Sequence, residues 1–93
     1  MNILLLITTK GCLGCNIAKD IILSALDNTS KTIDFKMQDV GSIDRKFIIT
    51  NKIKDFPTLV FIKSINGNEE ILFKYTGTMP KAVINRWIDV YFI

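Results

Sequence analysis

The sequence predicts an α/β fold in which strand, helix, strand, helix, strand, strand and helix build a four-stranded mixed sheet of order 2-1-3-4 flanked by three helices. Three observations predict it. Two apolar runs without alternation, at 2–8 and after Pro57, suit central strands covered on both faces. Two alternating stretches, at 32–38 and 70–75, suit edge strands with one wet face. Apolar stripes of helical period at 17–26 and 83–91 supply the long helices. With 93 residues, 48% of them apolar and 23% charged, the chain has the make-up of one packed domain rather than a disordered tail. We expect residues 1–93 to form that single domain.

Each element follows from its own pattern. NILLLIT at 2–8 is the first strand, and central. Ile17, Ala18, Ile21, Ile22, Ala25 and Leu26 recur as adjacent pairs every four residues, which defines one face of a helix running to about Asp27. Asn28-Thr29-Ser30 ends it. In TIDFKMQ at 32–38, Ile33, Phe35 and Met37 alternate with Asp34, Lys36 and Gln38, which makes the second strand an edge. A short second helix is expected next, capped by Ser42 or Asp44, with Ile43, Phe47 and Ile48 on one side, although Ile48, Ile49 and Thr50 are β-branched. TLVFI after Pro57 is the second central strand, Asn66-Gly67-Asn68 a turn, and EILFKY at 70–75 the outer strand of a hairpin. Thr78 is expected to cap the last helix, with Pro80 in its first turn and Val83, Ile84, Trp87, Ile88 and Tyr91 as the buried stripe.

A right-handed crossover through the first helix sets the second strand parallel to the first. The third strand then pairs antiparallel on the first strand's other side, with the fourth outside it. The end of strand one, the start of strand three and the end of strand four share one edge of the sheet. Cys12, Pro57 and Gly77 should meet there.

Charge excludes some partners. The net charge of +3 comes from lysines scattered from Lys10 to Lys81 rather than from a patch or arm, so nucleic acid is not expected as a partner. The run 3–7 is too short for a membrane span or a signal-peptide core, and no positive residue precedes it. No membrane association is expected, and a reducing cytoplasm is the expected compartment. Trp87 reads as core, and Asp34, Asp39 and Lys10 as solvated charges. No paired-carboxylate, phosphate-loop or Ser/His arrangement competes for attention.

The chain's two cysteines stand in TTKGCLGC at 8–15, and it has no histidine. A thiolate is the attacking species in disulfide exchange, and a free cysteine near pKa 8.5 is only about 3% ionised at pH 7. Cys12 falls where strand one hands over to helix one, so unpaired N–H groups and the positive end of the helix dipole face its sulfur. Three residues of helix bring Cys15 back over Cys12. The short, uncharged Leu13-Gly14 leaves Cys12 approachable. We therefore assign Cys12 as nucleophile and Cys15 as the resolving thiol. The same spacing serves zinc and iron–sulfur sites, and two sulfurs without imidazole would need a dimer or added thiols to complete them.

On KGCLGC at 10–15, DFPT at 55–58, the hairpin from Thr58 to Gly77 and the closing amphipathic helix, nearly the whole chain resembles the thioredoxin and glutaredoxin superfamily. The resemblance implies that Pro57 follows a cis peptide bond and lies against the thiols, helping to keep metal off them. It implies that the backbone of Phe56 pairs with an extended substrate, that Leu13 and Gly14 border the reactive sulfur, and that Thr76 and Gly77 form a third substrate-facing loop. The implied activity is thiol-disulfide exchange with protein disulfides, by a monomer needing no bound cofactor or metal and recycled by a thioredoxin reductase or by glutathione. The length matches glutaredoxins, but their double-glycine and acidic motif for glutathione is replaced by Thr78-Met79-Pro80-Lys81. Thioredoxin's tryptophan before the first cysteine is Gly11 here, and its buried acid is Leu6, so Cys15 would lose its proton to water or to a group near Lys36. The alternative readings are a glutathione-dependent glutaredoxin and a module holding zinc or an iron–sulfur cluster at a dimer interface.

Overall fold

The computed structural model describes residues 1–93. It contains β1 (Asn2–Thr8), α1 (Leu13–Leu26), β2 (Ile33–Asp39), α2 (Arg45–Thr50), β3 (Thr58–Ile65), β4 (Asn68–Thr76) and α3 (Lys81–Tyr91). The sheet order is β2-β1-β3-β4, with β1 and β2 parallel and the other pairs antiparallel. Ile7 pairs with Thr58, and Thr58 with Thr76. Thus the end of β1, the start of β3 and the end of β4 lie together, as the topology requires.

The run of apolar residues in β1 is explained by two cores. Leu4 and Leu6 join Leu59 and Phe61 beneath α1 and α3, whereas Ile3, Leu5 and Ile7 join Val60 and Ile62 beneath α2. Successive side chains point to opposite faces, so a strand covered on both sides has no polar positions to alternate with. Each fully buried Leu or Ile here contributes about 1.5–3 kcal/mol. On the α3 face Phe61 packs edge-on to Trp87 with ring centroids 6.2 Å apart, and Phe73 stacks on Tyr91 at 4.8 Å. Asn85 donates from its side-chain amide to the Ala25 carbonyl at 2.8 Å, tying α3 to the end of α1.

Three local expectations are corrected, and the choice of cap for α2 is resolved. Ile17, expected in the buried stripe of α1, is 56% exposed; the helix buries Cys15, Ala18, Ile22 and Ala25 instead. Of the two candidate caps for α2, Asp44 acts, its carboxylate accepting from the Lys46 N–H at 2.9 Å, while the Ser42 hydroxyl donates to the Asp39 carbonyl. Thr78 does not cap α3, which begins after Pro80 with no side-chain cap. The ring of a proline holds the preceding residue out of helical geometry, so Met79 cannot lie in a first turn and Thr78 is too early in the chain. In β4 the alternation breaks at a bulge: Phe61 pairs with Phe73 but Ile62 pairs with Ile71. Leu72 and Phe73 consequently pack on one core and Ile71 on the other.

Candidate functional site: the Cys12–Cys15 pair

Between β1 and α1 the chain must turn within four residues. Gly11 takes a positive φ of 73°, where a side chain would be strained although space is free around it. That backbone accounts for a glycine where the resemblance would place tryptophan. Cys12 follows in extended conformation as the N-cap of α1. Its sulfur accepts from the Cys15 N–H at 3.1 Å, filling the role that Ser or Asp usually plays at a helix start. The two cysteines are joined as a disulfide with Cα atoms 5.3 Å apart, inside the ordinary span for such a bond. Cys15 is 3% exposed, whereas Cys12 is only half-buried and Leu13 stands out in solvent. The pair is therefore reachable from outside through Cys12.

The second side of the site is the loop entering β3. The Phe56–Pro57 peptide bond is cis, and Pro57 is buried. A Cβ placed on Gly14 would meet Pro57 Cδ at 3.5 Å and the Thr78 methyl at 4.0 Å, so the segment between the cysteines lies directly against this loop. The backbone N–H and C=O of Phe56 have no hydrogen-bond partner within the chain, although its ring packs on the α2-side core. Gly77 donates its N–H to the Pro57 carbonyl at 2.8 Å and has φ of 114°, which favours glycine. Cys12, Cys15, Leu13, Gly14, Phe56, Pro57, Thr76 and Gly77 are thus gathered at one edge of the sheet.

Thr58, a polar residue at 0% exposure, fastens these loops. Its hydroxyl donates to the Asp55 carbonyl at 2.6 Å, which leaves the Thr76 hydroxyl as donor in the 3.1 Å contact between the two threonines. One buried oxygen links the proline loop to the loop after β4. The signal was present in the sequence: a threonine opening an otherwise apolar strand needs partners when buried.

One expectation about the surroundings comes out differently. Lys36 pairs in register with Leu5, which faces the α2-side core, whereas Cys15 belongs to α1 on the opposite face. It cannot serve that thiol. Leu6, where the resemblance expects an acid, is 1% exposed among Ala18, Leu59 and Ile84, and the buried polar residues of the chain are Thr8 and Thr58, with no carboxylate among them. Met37, in contrast, shares a face with Leu6 by register and reaches an open groove of about 240 Å³ that also touches Cys12, Cys15, Leu13 and Asn16. Sequence reasoning placed Met37 on the apolar side of its strand without connecting it to the cysteines.

No group of three or more Cys, His, Asp or Glu residues is arranged to hold a metal ion, so any metal would need ligands from outside this chain. No helix is long and apolar enough to cross a membrane.

No protein-family model matches the sequence, nor does any curated protein. Solved structures do match. A thioredoxin of Trichomonas vaginalis superposes with TM-score 0.74 at 19% identity, over 97% of this chain and 78% of that one. Thioredoxin-2, described as a component of the malaria parasite protein secretion machinery, gives TM-score 0.77 at 17% identity, over 97% and 82%. Plasmodium falciparum thioredoxin gives 0.71 at 21% identity, over 97% and 70%. The chain has the thioredoxin fold.

Proposed function

We propose that this thioredoxin-fold chain is a thiol-disulfide oxidoreductase that reduces protein disulfides through Cys12 and Cys15. The observation that carries the reading is the bonded cysteine pair at the N-terminus of α1, with its outer sulfur accessible beside a loop whose Phe56 backbone groups are unpaired. In the reduced protein, the Cys15 N–H and the positive end of α1 favour the thiolate of Cys12 over its thiol.

The Cys12 thiolate attacks one sulfur of the target disulfide. That bond breaks, the departing sulfur takes a proton, and a mixed disulfide joins Cys12 to the target. Cys15 then loses its proton and attacks the Cys12 sulfur, releasing the second target thiol. Two electrons and two protons pass to the target, and the Cys12–Cys15 bond forms. Phe56 pairs by strand addition with the target backbone, while Leu13, Gly14, Pro57, Thr76 and Gly77 border it. A thioredoxin reductase or glutathione, in a reducing compartment such as the cytoplasm, returns the dithiol. The unit acting is residues 1–93 as a monomer.

Insulin reduction followed by turbidity tests this directly. Wild-type protein should precipitate the insulin B chain, Cys12→Ser should be inactive, and Cys15→Ser should accumulate a covalent adduct through Cys12. Protein that is inactive and carries stoichiometric zinc or iron after anaerobic purification would replace the reading with the metal-binding alternative.

A further inference from the structure

We infer that the groove between the start of α1 and the end of β2 selects targets carrying an apolar side chain beside their reactive cysteine, an inference that rests on the reductase reading above. The groove lies beside the disulfide, with both cysteines among its lining residues, so anything attached to Cys12 is presented to it. One wall is apolar and accessible: Leu13 is 83% exposed and Met37 is 40% exposed. One helical turn beyond Leu13, on the same side of α1, Ile17 stands 56% exposed and continues the apolar surface.

Three apolar side chains left in water around one reactive pair are costly unless something covers them, because burial of each would release about 25 cal/mol per Å². The remaining lining is polar but uncharged, from threonines and Asn16, and the Thr8 hydroxyl already donates to the Gln38 carbonyl. No lysine, arginine or carboxylate is among the residues lining the groove, although the exposed Lys10 stands between Thr9 and Gly11, which do line it. Glutathione bears two carboxylates and an ammonium group, and the lining residues themselves offer them no counter-charge. The occupant is therefore a protein segment with a leucine-like residue next to its cysteine. Met37 is the selecting contact contributed by β2, on the far side of the pair from Pro57.

Two synthetic peptide disulfides test this, identical except that leucine or serine flanks the cysteine. Wild-type kcat/KM should favour the leucine peptide, and Met37→Ser should cut that preference about fivefold. Met37→Leu should restore it, and Val90→Ser, at the opposite end of α3, should leave it at the wild-type value. Equal rates on both peptides with wild-type protein, or a preference that survives Met37→Ser, would overturn the inference while the reductase reading stands. Failure of wild-type protein to reduce either peptide would remove both.

Discussion

Thr58 illustrates how one buried atom sets the geometry of the proposed site. Its hydroxyl holds the Asp55 carbonyl and receives the Thr76 hydroxyl, so it fixes both loops that face the cysteines. Valine has nearly the same shape but neither bond. Thr58→Val should cost about 1–2 kcal/mol, read as a lowered urea midpoint at unchanged slope; an unaltered midpoint would show that the loops are held by packing alone. Leu6 carries a kinetic expectation. The buried polar residues are two threonines, with no buried carboxylate to take a proton, so the mixed disulfide on Cys12 should persist longer than in a thioredoxin with a buried acid. A thiol-trapping time course in which Cys15 resolves equally fast would contradict this.

At the level of elements, the hairpin makes the sharpest demand on the backbone. Asn66 and Gly67 both have positive φ, 53° and 84°, the geometry of a type I′ turn whose twist matches the strands it joins. Gly67→Ala should therefore destabilise by about 1 kcal/mol, through conformation only, because no atom crowds that position. Thermal melting read beside the Thr58 variant checks it, and an unchanged melting temperature would refute it. The strands were legible in the sequence because their faces impose periods: the unbroken run of β1 follows from two cores, and Asn66-Gly67 from turn chemistry. What escaped was set by neighbours. Periodicity assigned Ile17 to the buried stripe, but only the lateral position of β2 and α3 decides which turn of α1 is covered. Likewise the bulge at Leu72 depends on how β4 fits two different cores, and no local pattern reveals it.

For the whole molecule, the sheet order does the assembling. Cys12, Pro57 and Gly77, far apart along the chain, meet because β1 and β3 are antiparallel neighbours and β4 returns to the same edge. This was readable beforehand from crossover handedness and the hairpin. The groove at Met37 was not, since it arises where α1 starts beside the end of β2. The Cα radius of gyration is 12.6 Å, close to the roughly 12 Å expected of a single chain this long. If the chain acts as the monomer proposed above, light scattering on the reduced protein should give a mass near 10.6 kDa, and a metal-dependent dimer would reopen the cluster-binding alternative. The central claim is that helix α1 activates the sulfur at its start. Alkylation of the reduced protein across a pH series, with each modified cysteine identified by mass spectrometry, measures that most directly. Cys12 should react first, with a midpoint below the value of about 8.5 for free cysteine; preferential reaction of Cys15, or a Cys12 midpoint at or above that value, would contradict the account.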